Sequence, residues 1–122
     1  MREVLVRNRT RDTVVAQRAG LARSRWARLR GLIGRRCLAA GEGLIIQPCS
    51  SIHTFFMAFP IDVLFVGQGE RVLRAAPAVA PWRIGPVVPQ ARYVVELPPG
   101  AVSASATQPG DELQLVAVQQ DG

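Results

Sequence analysis

Hydrophobic and polar positions alternate along much of this chain. The pattern is densest over residues 52–66, Ile-His-Thr-Phe-Phe-Met-Ala-Phe-Pro-Ile-Asp-Val-Leu-Phe-Val. An extended strand points successive side chains to opposite sides. This predicts His53, Phe55, Met57 and Phe59 on one side, with Thr54, Phe56 and Ala58 on the other. Pro60 has no backbone donor, so the run bends or breaks there. Beyond it, Ile61, Val63 and Phe65 alternate with Asp62, Leu64 and Val66. The prediction is a buried double strand that carries two ionisable groups, His53 and Asp62.

Elsewhere the period and the turn residues set the remaining elements. Val4, Val6 and then Val14, Ala16 flank the polar run 8–12, which reads as a hairpin. Over residues 21–33 the period changes: at about 100° per residue, Ala22, Trp26, Leu29 and Ile33 share one stripe with arginines on both flanks, an amphipathic helix docked on a sheet. Leu38 to Gly43 reads as a turn, Gly43 to Gln47 as a short buried strand ended by Pro48, and Gly67 to Glu70 as a hairpin turn leading to a return strand over 71–76. Residues 77–91 contain Pro77, Pro81, Pro86 and Pro89, which predicts a stiff loop of the kind that covers a site. A strand follows over 92–97, one helical turn over 101–106, a turn at Pro109-Gly110-Asp111 and a last strand over 112–118. The fold class is mainly β: a compact antiparallel barrel or sandwich of seven to eight short strands with one N-terminal amphipathic helix.

At 122 residues and 13.2 kDa the chain reads as a single domain, 1–122, long enough to bury about two-thirds of its unfolded surface without metal or disulfide staples. Its net charge of +6 is uneven. Residues 1–36 carry eleven Arg against Glu3 and Asp12, 11 − 2 = +9, and residues 37–122 carry four Arg against seven acids, 4 − 7 = −3. All basic residues are arginine, and in a chain rich in Ala, Val, Gly and Pro this points to a GC-rich genome more than to phosphate recognition. A helix that read DNA would need a partner helix and polar base-reading side chains, and neither is visible. Nucleic acid is therefore disfavoured as a partner. Cys37 and Cys49 do not make a disulfide framework, no apolar leader precedes the first strand, and no run reaches the ~18 apolar residues that cross a bilayer. The expectation is a soluble, monomeric, cytoplasmic protein with reduced thiols.

The order of motifs resembles the DUF192 family, small bacterial and archaeal domains. The matching pieces are Arg30-Gly31-Leu32-Ile33-Gly34-Arg35, Gly41-Glu42-Gly43-Leu44-Ile45, Phe56-Met57 with Pro60-Ile61-Asp62-Val63-Leu64-Phe65, Val95-Glu96-Leu97-Pro98-Pro99-Gly100, and Pro109-Gly110-Asp111-Glu112-Leu113. Ile33 departs from the family's usual methionine, and His53 stands where many members carry no histidine. Many relatives look exported. The resemblance implies a mainly β fold and no established activity.

Candidate chemistry gathers on a few residues. A buried carboxylate is costly unless bonded, so Asp62 either accepts backbone amides and fixes the bend or serves a site. Glu96 interrupts Val94, Val95 and Leu97, and two nearby carboxylates could act as an acid–base pair or bind a cation. His53 with Cys49 supplies only two metal ligands where zinc takes three or four, so no metal or other cofactor is expected. Met57 reads first as core, while Trp82 and Arg83 on the proline loop could clamp an anionic ligand. The favoured reading is a small binding or accessory domain. Its site would lie between the 52–66 stretch and the 77–91 loop, around Asp62, Glu96, His53, Met57, Trp82 and Arg83, and would take an unknown small ligand or protein. The alternatives are a metal-assisted or hydrolytic enzyme using the same residues, and anionic-polymer binding by the arginine-rich N-terminal third.

Overall fold

The computed structural model describes residues 2–23, 37–54 and 57–118. Val4 and Val6 lead into a tight reversal, and β1 (Glu3–Asn8) pairs antiparallel with β2 (Thr13–Ala22). Because β2 continues through Leu21 and Ala22, these two residues extend a strand rather than open a helix. The rest of the expected N-terminal helix stripe, Trp26, Leu29 and Ile33, lies outside the described residues, as do Phe55 and Phe56 of the expected alternation. The strands that follow are β3 (Glu42–Ile46), β4 (Ser51–His53), β5 (Ile61–Gly67), β6 (Arg71–Val79), β7 (Ile84–Val87), β8 (Tyr93–Leu97) and β9 (Leu113–Ala117). Ala101–Ala104 forms one short helix between β8 and β9.

Seven strands make one sheet in the order β6-β5-β8-β3-β2-β1-β9, and β4 pairs with β7 in a second, two-stranded sheet. The expected antiparallel arrangement needs one correction: β2 and β3 run parallel, Gly20 opposite Leu44. Parallel neighbours require a crossover of a dozen or more residues, and residues 23–41 provide it. The large sheet is curled into a half-barrel. Arg71, at the start of β6, bridges Glu112 just ahead of β9. Beside that bridge the Val72 N–H donates to the Asp111 carbonyl at 2.8 Å and the Gly110 N–H to the Val72 carbonyl at 2.7 Å. The two outermost strands thus meet at one end. The short helix touches both β2 and β5, which only a rolled sheet brings together.

Each face of the sheet carries its own apolar cluster. Leu64, Val66, Val95 and Leu97 belong to the first, with Val4, Val6 and Leu113; Ile61, Val63, Phe65 and Val94 belong to the second, with Leu44, Ile52 and Met57. Covered on both faces, β5 and β8 are buried at every position, which is why their sequences read as nearly continuous apolar runs.

The proline-rich stretch is not a loop throughout. β6 continues to Val79 and β7 occupies Ile84–Val87. Proline is tolerated in strands at an edge or a bulge, where no ladder donor is needed. Pro77 sits in the edge strand β6, at a bulge where Ile61 pairs with Val79 but Val63 with Ala76. Among the described residues no helix is long and apolar enough to cross a membrane.

Candidate functional site

Asp62 is buried in β5, 1% exposed, on the face of the first cluster, across from Leu97 of β8. Three backbone amides converge on it. Ala78, the extra residue of the β6 bulge with φ +51°, donates its N–H to Asp62 Oδ1 at 2.8 Å. Gly100 and Val102 donate theirs to Oδ2 at 3.1 and 3.0 Å. A bulge frees an amide from the ladder, and the start of a helix leaves amides without partners; Asp62 satisfies both at once. The carboxylate therefore joins the centre of the sheet to its edge strand and to the turn after β8.

Glu96 occupies β8 between Leu44 of β3 and Val63 of β5. Alternation with Val95 and Leu97 turns it to the face of the second cluster, away from Asp62. It is 3% exposed, and Oε1 has no hydrogen-bond partner. Burial alone pushes its carboxyl up to about 7.

The remaining expected site residues are split between these faces and the surface. Met57 is buried in the second cluster. His53 is exposed, which corrects the expected core position: β4 is only three residues long, and its middle residue, Ile52, is the one that enters the second cluster. Trp82 and Arg83 are also exposed, in the turn before β7. Among the described residues no three His, Cys, Asp or Glu side chains come together as a metal set. Cys37 and Cys49 form no disulfide.

Two buried polar centres were not visible as sites in the sequence. Thr54 is fully buried and ties the 80–83 turn to β4: its N–H donates to the Arg83 carbonyl at 2.8 Å, its hydroxyl to the Ala80 carbonyl, and its carbonyl accepts the Trp82 N–H at 2.9 Å. The second centre is Asn8, which donates to Thr107 Oγ1 at 3.1 Å and to Asp111 Oδ2 at 3.0 Å; Arg11 Nε and the Gln108 N–H also reach that oxygen. Burial works to raise the Asp111 carboxyl, but the Asn8 amide, the Gln108 N–H and the Arg11 guanidinium outweigh it and hold Asp111 below the usual carboxylate range. The sequence did carry a signal for Asn8: it continues the inward alternation of Val4 and Val6.

A cavity of about 620 Å³ opens beside the turn that Asp62 fastens. Its walls are Val14, Val15 and Gln17 of β2, then Leu38, Ala40 and Gly41, and Pro98 to Ala101 with Ala104. The lining is mostly apolar. Gln17 supplies the polar side chain, and an added Cβ on Gly41 would lie 3.3 Å from Gln17 Oε1. Neither Asp62 nor Glu96 lines this cavity, so the expected site between 52–66 and 77–91 and the cavity are different places.

The model of the DUF192 family, described as Uncharacterized ACR, matches residues 6–115. A UPF0127 protein of Pyrococcus horikoshii is 37% identical over 65 residues, 53% of this chain and 56% of that protein. The chain thus spans little more than half the length of that relative. A UPF0127 protein of Thermococcus sibiricus is 30% identical over 110 residues, 87% of this chain and 71% of the relative. The crystal structure of a protein of unknown function from Novosphingobium aromaticivorans superimposes with a TM-score of 0.79 at 27% identity, covering 92% of this chain and 83% of that one.

Proposed function

The chain belongs to the DUF192 family, and from that premise we propose that it is a binding domain for a small, predominantly apolar ligand held between β2, residues 38–41 and the 98–104 turn. The observation that carries this reading is the cavity itself. Its volume of about 620 Å³ lies within the roughly 300–1,000 Å³ of ordinary ligand sites, which are mainly apolar with a few fixed polar groups. Gln17 and the backbone of Gly41 and Gly100 are those groups here. Asp62 acts as a positioning residue, because its bonds to Gly100 and Val102 hold one wall in place.

An acid–base or metal reading of Asp62, Glu96 and His53 has less support. Asp62 spends its oxygens on three amides, and the other two side chains lie on different surfaces of the fold. In the arginine-rich third, residues 24–36 fall outside the described residues, and of the described arginines Arg7, Arg9, Arg11 and Arg18 lie in ion pairs with Asp12, Glu112, Asp111 and Glu3, which lends anionic-polymer binding little support.

The test uses N-phenyl-1-naphthylamine, an uncharged fluorescent probe, titrated into the full chain. Saturable one-to-one binding is expected, and Ala104→Trp, at an exposed position on the cavity wall, should weaken it about tenfold or more by filling the space. Equal binding by both proteins removes the proposal.

A further inference from the structure

The β4–β7 sheet faces outward with side chains that water does not favour. Of the five large apolar side chains exposed among the described residues, Ile84 at 76%, Val87 at 64% and Trp82 at 56% all sit here. Ile84 lies across from His53 and Val87 across from Ser51, and a bulge between the two pairs carries both onto the outer face. The inner face is firmly seated. Ile52 is 8% exposed within the second cluster, and it presses so closely on Gly85 that an added Cβ would lie 2.4 Å from its Cγ1. Thr54 hydrogen-bonds the adjoining turn from within, and Trp82 is held there at φ +62°, a backbone setting unusual for a bulky residue. The apolar side chains are therefore displayed by a rigid support rather than left over from loose packing.

The charged residues next to them in the chain have one sign. Residues 47–61 and 77–92, which contain the two strands and the turns that flank them, hold no Asp or Glu but include Arg83 and Arg92. Exposures this high belong to a protruding edge and not to the floor of a groove. Three such side chains fall well short of the ~800 Å² per partner that a stable protein interface buries. A bilayer surface makes no such demand: tryptophan and aliphatic side chains enter at headgroup depth, and each nearby arginine adds attraction to anionic lipid.

We infer that the Trp82–Ile84–Val87 face, flanked by Arg83 and His53, docks on an anionic phospholipid bilayer. This surface is separate from the cavity of the proposed function, and the two stand or fall independently.

The experiment is co-sedimentation of the full chain with vesicles of phosphatidylcholine containing about one-third phosphatidylglycerol, in about 0.1 M salt. Association with these vesicles and much weaker association with phosphatidylcholine alone are expected. Ile84→Asp combined with Val87→Asp should lower the apparent affinity about tenfold or more, since apolar area is lost and two anions are added. Arg83→Gln, which leaves the apolar face intact, should lower it about fivefold. Three results would overturn the inference: no preference for anionic vesicles, equal sedimentation of the variants (binding through arginines elsewhere), or a concentration-dependent dimer that the Asp substitutions dissolve. If the double Asp variant fails to fold, Arg83→Gln and the lipid comparison still decide.

Discussion

Asp62 and Glu96 stand on neighbouring strands yet face opposite sides of the same sheet. Glu96 pairs with Val63, one residue beyond Asp62, and Asp62 pairs with Leu97, one residue beyond Glu96. A single-residue offset is enough to put two side chains on different faces. The two carboxyl groups thus have separate environments and separate consequences.

Asp62 is satisfied, so its loss should be felt as stability. Asp62→Ala leaves the amides of Ala78, Gly100 and Val102 without an acceptor, and each buried orphan costs about 1–3 kcal/mol. A loss of about 3 kcal/mol or more in urea unfolding is expected, with Asp62→Asn intermediate because it keeps one acceptor oxygen. A change below about 1 kcal/mol, the size of ordinary surface effects, would show that the amides find other partners.

Glu96 predicts the opposite sense. Its carboxyl is raised from an ordinary 4.5 to about 7 in the folded chain. Between those values the unfolded chain is ionised while the folded one stays protonated, so stability falls as pH rises through that window and levels off above it. At about 1.4 kcal/mol per pH unit the whole fall is on the order of 3 kcal/mol. Glu96→Gln should remove the slope and leave the variant more stable than the parent at pH 8, as read by thermal unfolding across the pH range. A parent whose stability is flat from pH 4.5 to 7 would contradict this assignment.

Asp111 acts at the acid end. Its folded value lies below the unfolded one, because Asn8, Gln108 and Arg11 outweigh its burial. The stabilisation is therefore present above the usual carboxylate range and is lost as pH falls through the depressed value. Asn8→Ala should cost about 2 kcal/mol near neutrality by removing the buried amide donor that Thr107 Oγ1 and Asp111 Oδ2 share. It should also move the acid unfolding midpoint upward. An unchanged midpoint would mean that this cluster does not control acid unfolding.

Gly85 offers a steric test. The Cβ of Gly85→Ala would meet Ile52 Cγ1 at 2.4 Å and Cδ1 at 2.8 Å, and forced overpacking costs about 1–3 kcal/mol. Ile52→Ala makes room, so the double variant should be less destabilised than the sum of the two singles. Strict additivity would place the strain elsewhere.

Local pattern made much of this fold readable. The 8–12 turn, β3, β5, β8, β9 and the 67–70 reversal all follow from alternation broken by polar, Gly or Pro residues. What remained hidden is what only distance along the chain decides. No local signal says that β2 and β3 run parallel, or that β5 pairs with β8. His53 was expected inside because it stands in an apolar run; the strand ends at that residue, and pairing with β7 selects Ile52 for the core. Pro77 and Pro86 suggested a loop because proline breaks interior strands, but edge and bulge positions tolerate it. Asp62 was recognised as a buried carboxylate, while its donors, 16 to 40 residues away, could not be named. Gln17 and the 98–104 turn share a cavity only because the sheet rolls.

The pairing of β1 with β9 fixes when this protein can be finished. Asn8 pairs with Leu113 and Val4 with Ala117, so β1 leaves the ribosome long before the strand that covers its second side. Until residue 117 has emerged, one flank of β1 is bare and open to other chains. Completing the roll is therefore a late, long-range step, and such topologies fold slowly relative to ones built from local contacts.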